Sequence, residues 1–384
     1  MTRAILEKRL SELSRHHLER RMRVLRGPAL PVVLTDDGEK LNFCSNDYLG
    51  LAYDPRIREA MVEAVCNWGS SPASSRLVSG NTSAHEELQQ ELAAFLRTEA
   101  AVSFPSGYQA NVGTVTSLTR SGDAIFSDAL VHASLVDGCR LSKADVHIFR
   151  HGDMEHLEQL LVRQAGSSVK LIITDGVFSM DGDLSPLEDI CKLAATHGAL
   201  VYVDEAHSLG IMGSRGRGLV EQLGLEEQVA IRVGTFGKAF GTAGAFVATS
   251  RAVARLVQST ARSLLYTTAA PVPLIEGTRR SLRIVQDAGD NRRVLEENVA
   301  HFTGRARELG LNIKDSKTPI QPVIVGSAAD VMAASEALWQ RGLFVQGIRP
   351  PTVPEGTSRL RITLTAGHTR EHIDCLVQGL AAVL

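Results

Sequence analysis

The chain contains no pair of cysteines at CxxC spacing; Cys44, Cys66, Cys139, Cys191 and Cys375 are scattered and odd in number. They read neither as a zinc site nor as a disulfide framework, and a reducing, cytoplasmic setting is expected. No apolar run approaches the roughly 18 residues of a membrane span. The N-terminus also lacks the uninterrupted apolar core of a signal peptide, so neither membrane insertion nor export is expected. A surplus of one charge is missing as well, since 41 Lys and Arg face 43 Asp and Glu for a formal charge of -2. That removes any overall field toward nucleic acid or anionic lipid. Residues 1–26 do hold eight Arg or Lys against three Glu, but Glu7, Glu12 and Glu19 break the basic run. Leu6, Leu10 and Leu13 recur there at helical spacing, which predicts an amphipathic helix.

Hydrophobic residues make up 44% and charged residues 22% of 384 positions, the balance of a packed chain too long for one small core. Residues 32–35 and 40–43 flank Asp36-Asp37-Gly38, a turn sequence that predicts a hairpin. Ser83 and Glu86 have capping-box spacing and open a helical pattern through Leu88, Leu92 and Phe95. Short apolar runs then alternate with amphipathic stretches, at 100–104, 124–127, 146–149, 171–174, 200–203 and 245–248. Runs without polar alternation suit strands buried on both faces. An α/β domain with a large, mostly parallel sheet covered by helices follows, with ligands beyond the strand carboxyl ends. Helical patterns at 271–309 and 329–341, strands at 322–325 and 359–364 and a last helix predict a smaller α+β domain. The expected division is 1–45 for helix and hairpin, 46–270 for the large domain and 271–384 for the C-terminal one.

Four segments carry residues suited to chemistry. In 234–244, Lys238 is the only charge among small and apolar residues. A phosphate-binding P-loop would need Gly at 232 and Ser or Thr at 239, where the chain has Arg232 and Ala239, so that reading fails. A lysine whose desolvated amine forms a Schiff base remains, against the plainer reading of a loop lysine. Leu200-Val201-Tyr202-Val203-Asp204-Glu205-Ala206-His207 is a strand run ending in an acid, placed to hold a proton on a heteroaromatic nitrogen or simply to cap a helix. Metal binding by Asp204, Glu205 and His207 would crowd three ligands into four residues without helical spacing, and no metal is expected. Phe104-Pro105-Ser106-Gly107-Tyr108 turns from a strand into a helix N-terminus, where free backbone N–H groups suit a phosphate. His132 follows another strand. A phosphate cradle, a carboxylate for a ring nitrogen, an imidazole near a ring and an amine for an aldehyde are together satisfied by pyridoxal 5'-phosphate.

Five motifs in order then resemble a family: Asn42-Phe43-Cys44-Ser45-Asn46-Asp47-Tyr48-Leu49-Gly50, Gly176-Val177-Phe178-Ser179-Met180-Asp181-Gly182, Asp204-Glu205-Ala206-His207, Thr235-Phe236-Gly237-Lys238 and Arg359-Leu360-Arg361. From about residue 20 to the C-terminus the chain is similar to the α-oxoamine synthases, fold-type I transferases that use pyridoxal phosphate. Ile348-Arg349-Pro350-Pro351-Thr352-Val353-Pro354 most resembles the branch that joins L-alanine to a pimeloyl thioester, on acyl carrier protein or coenzyme A, with loss of carbon dioxide. The resemblance implies that Lys238 holds the cofactor and acts as base, and that Asp204 protonates its ring nitrogen. It implies that His132 stacks on the ring and that His207 and Ser179 reach its phenolic oxygen. Gly107, Tyr108 and Thr235 match phosphate positions, and Thr267 matches one supplied by the second subunit of a homodimer. Arg361 matches the site of the amino-acid carboxylate, assisted by Asn46 and Arg349; Thr352 and Arg20 match acyl-substrate positions.

Two departures stand out. Asp175 replaces the Glu that many members carry before Gly-Val-Phe-Ser-Met, and no role is carried over to it. Gly69-Ser70-Ser71-Pro72-Ala73-Ser74-Ser75-Arg76 is poor in glycine for the family, with Arg76 an added charge near the expected substrate side. Another α-oxoamine synthase, taking glycine, serine or a different acyl chain, is the nearest alternative; an aminotransferase or a cofactor-binding regulator is further away.

Overall fold

A computed structural model describes residues 2–164 and 166–384. Strands β1 (Val32–Thr35) and β2 (Gly38–Asn42) form the expected hairpin, with Thr35 opposite Gly38. Gly38 has φ 87°, a conformation that glycine adopts without strain. Then β3 (Ala100–Phe104), β4 (Ala124–Asp128), β5 (Asp145–Phe149), β6 (Lys170–Asp175), β7 (Leu200–Asp204), β8 (Ile231–Thr235) and β9 (Ala245–Thr249) build one sheet in the order β3-β9-β8-β7-β6-β4-β5. Last come β10 (Ile320–Gly326), β11 (Leu343–Phe344), β12 (Gln346–Ile348) and β13 (Ser358–Thr363), which complete the small sheets β1-β2-β11 and β10-β13-β12.

In the large sheet only β9 runs against its neighbours. The other six strands therefore end along one edge, and the fold is the mostly parallel α/β architecture expected. Alternate residues of the same strand feed two cores, as an apolar run without alternation requires. Ile125, Leu171, Ile173, Tyr202 and Val233 pack with Val115, Leu135 and Val257 on one face. Phe126, Ile172, Val201 and Val203 pack with Leu157, Leu161, Ile190 and Cys191 on the other.

The apolar-run pattern missed β8. Arg232 and Gly234 interrupt it, yet Arg232 is only 1% exposed. Glu205, equally buried, lies 2.7 Å from its guanidinium, and Arg232 also donates to the Leu96 and Arg217 carbonyls. A buried charge so paired behaves as part of the core, whereas removing either partner strands the other.

The helix expected after residue 83 spans Ser83–Leu96, but its capping box is one residue earlier than the sequence spacing suggested. Thr82 is the N-cap and its N–H donates to His85 Nδ1 (3.4 Å), while Glu86 instead accepts from Arg76 and Asn81. Arg76 is turned inward on Gln89, Ser103 and Glu86.

The chain divides into two compact units, one of residues 51–179 and 184–289, the other of residues 1–50, 180–183 and 290–384. The sequence reading places its boundaries at 45 and 270. Helix Val272–Asp287 packs on helices Pro55–Trp68 and Ser83–Leu96 and so lies in the larger unit. The N-terminal hairpin lies in the smaller unit because β2 pairs in parallel with β11. Helix Thr2–Arg15 is present, with Ile5, Leu6, Leu10 and Leu13 exposed. Segment 180–183 is built into the smaller unit by Lys314 and Arg359 on Asp181 and by Ser316 and Thr318 on the Gly182 carbonyl.

Candidate active site

In the larger unit, Gly107 and Tyr108 follow the carboxyl end of β3, His132 that of β4, Ser179 that of β6, His207 that of β7 and Lys238 that of β8, whereas Thr267 follows helix Arg262–Leu265. Ser106 caps helix Gly107–Leu118, accepting from the Gln109 N–H through its side chain and from the Ala110 N–H through its carbonyl. The first amides, of Gly107 and Tyr108, are thus left for an outside acceptor. A Cβ on Gly107 would come within 2.7 Å of Thr235 Cγ2, so glycine is what permits this approach. Thr235 Oγ1 is buried with no hydrogen-bond partner among the described residues. An orphaned hydroxyl beside free helix amides fits a phosphate group. Tyr108 turns its phenol to Asp137, so its side chain is engaged away from Thr235.

Asp204, at the end of β7 and 6% exposed, is held by two donors: Asn111 Nδ2 on Oδ2 (2.7 Å) and the Ala206 N–H on Oδ1 (2.9 Å). Asn111 is fixed in turn, since Tyr202 Oη donates to its Oδ1 (2.8 Å). Its Nδ2 also donates to Ser134 Oγ (2.8 Å), which lies 2.7 Å from His132 Nδ1. The Ser134 N–H donates to that same ring nitrogen (3.3 Å), so Nδ1 is the acceptor and the ring proton sits on Nε2. One buried amide thereby orients both a carboxylate and an imidazole. The sequence alone does not single out Asn111. Its only signal was a polar residue on the buried side of helix Gly107–Leu118.

Lys238 Nζ lies 2.9 Å from His207 Nε2. Glu205 faces Arg232 in the core, while Asp204 meets Asn111 and His207 meets Lys238, so the three residues considered as metal ligands point to different partners. Ser179 lies past β6, where a bridge between Val177 and Leu184 draws its loop together. Thr267 Oγ1 accepts from Gln109 Nε2 of its own chain (3.4 Å).

The smaller unit holds the remaining residues. Arg361, 7% exposed on β13, donates from both terminal nitrogens to Asn46 Oδ1 (3.2 Å each) and from Nη1 to Thr363 Oγ1 (2.8 Å). Helix Thr2–Arg15 stops short of Arg20, whose guanidinium donates to Thr352 Oγ1 (3.0 Å). Arg349 donates to the Glu19 carbonyl (2.6 Å), and its Nε is buried with no partner among the described residues. Burial, then the nearby Arg20 charge, holds the Arg349 pKa below its ordinary value. Arg20, Arg349 and Thr352 are thus brought together, as are Arg361 and Asn46.

A family model described as aminotransferase class I and II matches residues 38–380. The chain is 45% identical over 364 residues to an 8-amino-7-oxononanoate synthase of Thioalkalivibrio sulfidiphilus, covering 94% of this chain and 93% of that one. It is 45% identical over 373 residues to the 8-amino-7-oxononanoate synthase of Methylococcus capsulatus, covering 97% and 96%. Among solved structures it is similar to the serine palmitoyltransferase of S. paucimobilis with bound PLP–myriocin aldimine, at a TM-score of 0.93 and 31% identity over 98% of this chain and 96% of that one.

Proposed function

We infer that this chain, which belongs to the class I and II aminotransferase family and within it to the 8-amino-7-oxononanoate synthases, is a pyridoxal phosphate-dependent acyltransferase of biotin biosynthesis. It condenses L-alanine with a pimeloyl thioester. The alanine α-carbon bonds to the thioester carbonyl, the carrier thiol leaves, and the alanine carboxylate departs as carbon dioxide. The observation that carries this reading is the set of strand-end residues: a lysine 2.9 Å from His207, a carboxylate locked by Asn111, and a Thr235 hydroxyl with no partner among the described residues near the N-terminus of helix Gly107–Leu118.

Bound pyridoxal phosphate supplies an electron sink for the α-carbon. Thr235 Oγ1 and the amides of Gly107 and Tyr108 would hold its phosphate. Asp204 keeps a proton on the ring nitrogen, and two fixed donors stop the carboxylate from turning away. Lys238 would hold the aldehyde end of the cofactor and would serve as the base at the alanine α-carbon, with His207 2.9 Å from its amine. His132, its ring oriented by Ser134, would pack on the bound cofactor, and Ser179 and His207 would serve its phenolic oxygen. Arg361 receives the amino-acid carboxylate in a planar pairing, supported by Asn46, while Arg20, Arg349 and Thr352 take the acyl substrate.

We further propose a homodimer, in which Thr267 completes the phosphate site of the partner, and a cytoplasmic setting. No described helix is long and apolar enough to cross a membrane. The function is tested with carboxyl-labelled alanine, pyridoxal phosphate and pimeloyl thioester. Label should leave as carbon dioxide while an amino ketone of the expected mass accumulates. Sustained pyruvate formation from alanine without thioester would instead mark an aminotransferase.

A further inference from the structure

Asp175 is the last residue of β6 and stands in register opposite Asp204, the last residue of β7. Two carboxyl groups are therefore delivered side by side to the same strand ends. Their surroundings differ. Asp204 accepts two good hydrogen bonds, one of them from a side-chain amide. Asp175 is 3% exposed and accepts a long one, 3.4 Å, from the backbone N–H of His132. The charged groups that act on it are Asp204 from β7, Asp128 from β4 and Lys238 beyond β8. Two of these three are acids, and Lys238 is drawn toward His207.

We propose that Asp175 is a positioning residue acting as a neutral acid: it anchors the His132 segment by its carbonyl oxygen and adds no second carboxylate charge beside Asp204 at the ends of β6 and β7. A second carboxylate there would compete for the proton that Asp204 must hold on its ligand. Burial, reinforced by the charge of Asp204, pushes the Asp175 pKa well above the usual carboxylate range, in line with that state. The inference rests on the functional reading above for its consequence, but the protonation state belongs to the protein alone.

The first test therefore uses the apoenzyme: carbon-detected NMR of labelled aspartate, with Asp175→Asn to assign the signal. The Asp175 carboxyl should stay protonated through neutral pH. The second test is a pair of amides in the holoenzyme. Asp175→Asn, which keeps both an acceptor for His132 and a neutral head, should retain kcat within about threefold, whereas Asp204→Asn should lose about a hundredfold or more. Asp175→Leu removes the acceptor and should lower kcat by roughly tenfold, the cost of one unmet hydrogen bond. Thermal unfolding adds a readout independent of turnover. A raised carboxyl pKa in the folded state costs stability as pH climbs from about 4 toward neutrality, so the advantage of Asp175→Asn over the parent should grow over that range. An ionised Asp175 at neutral pH, or an Asp175→Asn loss as large as that of Asp204→Asn, would overturn the proposal, the former even if the enzyme proved to make a different product.

Discussion

In the larger unit, Asp204 and His132 are set by short bonds from the neutral groups Asn111 and Ser134, with Tyr202 fixing Asn111 in turn, and all three are buried. In the smaller unit, Arg20 and Arg349 are set by a hydroxyl and a carbonyl, and Arg349 Nε has no partner among the described residues. The first arrangement fixes angles and protons. The second gathers positive charge and waits for an anion. Neutral partners let the first set keep one geometry throughout turnover, while unneutralised arginines reserve their electrostatic energy for substrate, since a protein carboxylate there would already have consumed it.

Replacing Lys238 should expose the contrast most strongly. Lys238→Ala removes the nucleophile and base together, and kcat is expected to fall by about 10⁴-fold, at the top of the general-base range. Borohydride reduction of the holoenzyme followed by peptide mapping should label Lys238; label on Lys143 or Lys170 would place the chemistry elsewhere. Next in size is Asp204→Asn, expected to cost two to three orders of magnitude, roughly 10²- to 10³-fold, in exchange of the alanine α-proton, with cofactor retained. Asn111→Ala should reproduce part of that loss, and an unchanged exchange rate in both variants would dissolve the network.

A pH scan sharpens the difference from the stability side. His368, in the smaller unit, is 3% exposed, accepts from the Thr365 N–H and donates to the Asn42 carbonyl, and burial pushes its pKa down to about 4. Above the unfolded value, near 6.5, that neutral ring is fully stabilising. As pH falls from 6.5 toward 4 the unfolded chain binds a proton that the folded one refuses, so stability should drop by roughly 3 kcal/mol. His368→Gln should flatten the slope by about one proton in denaturant titrations; an unaltered slope would assign the acid loss to other groups. Smallest is Arg361→Lys, which keeps the charge but not the planar fork. The KM for alanine should rise by about tenfold with a lesser change in kcat, and a pure kcat effect would contradict its role as carboxylate holder.

The same two regions differ in how far the sequence disclosed them. The large sheet was legible because strands buried on both faces print unbroken apolar runs, such as Leu171-Ile172-Ile173. β8 escaped, its Arg232 neutralised by a glutamate 27 positions earlier, a pairing that no local window contains. Lys238, Asp204 and His207 stood out because small, apolar or motif-bearing neighbours isolate them. Asn111 did not, since a single polar residue inside a helix looks like surface until the opposite strands are in place. In the smaller unit β11 and β12, of two and three residues, carry too few side chains to show a period. Arg20 was placed among neighbouring arginines, and only the fold, by bringing Thr352 to it across 332 positions, tells it apart.

Competition among substrates tests the central claim most directly. The measurement is kcat/KM for L-alanine, glycine and L-serine, each against pimeloyl, acetyl, succinyl and long-chain acyl thioesters. One methyl group changes binding by only about 1–3 kcal/mol, so residual glycine turnover is compatible with the reading. L-alanine with pimeloyl thioester should give the highest value and yield 8-amino-7-oxononanoate. A higher value for glycine with acetyl or succinyl thioester, or for a long fatty acyl donor, would contradict it.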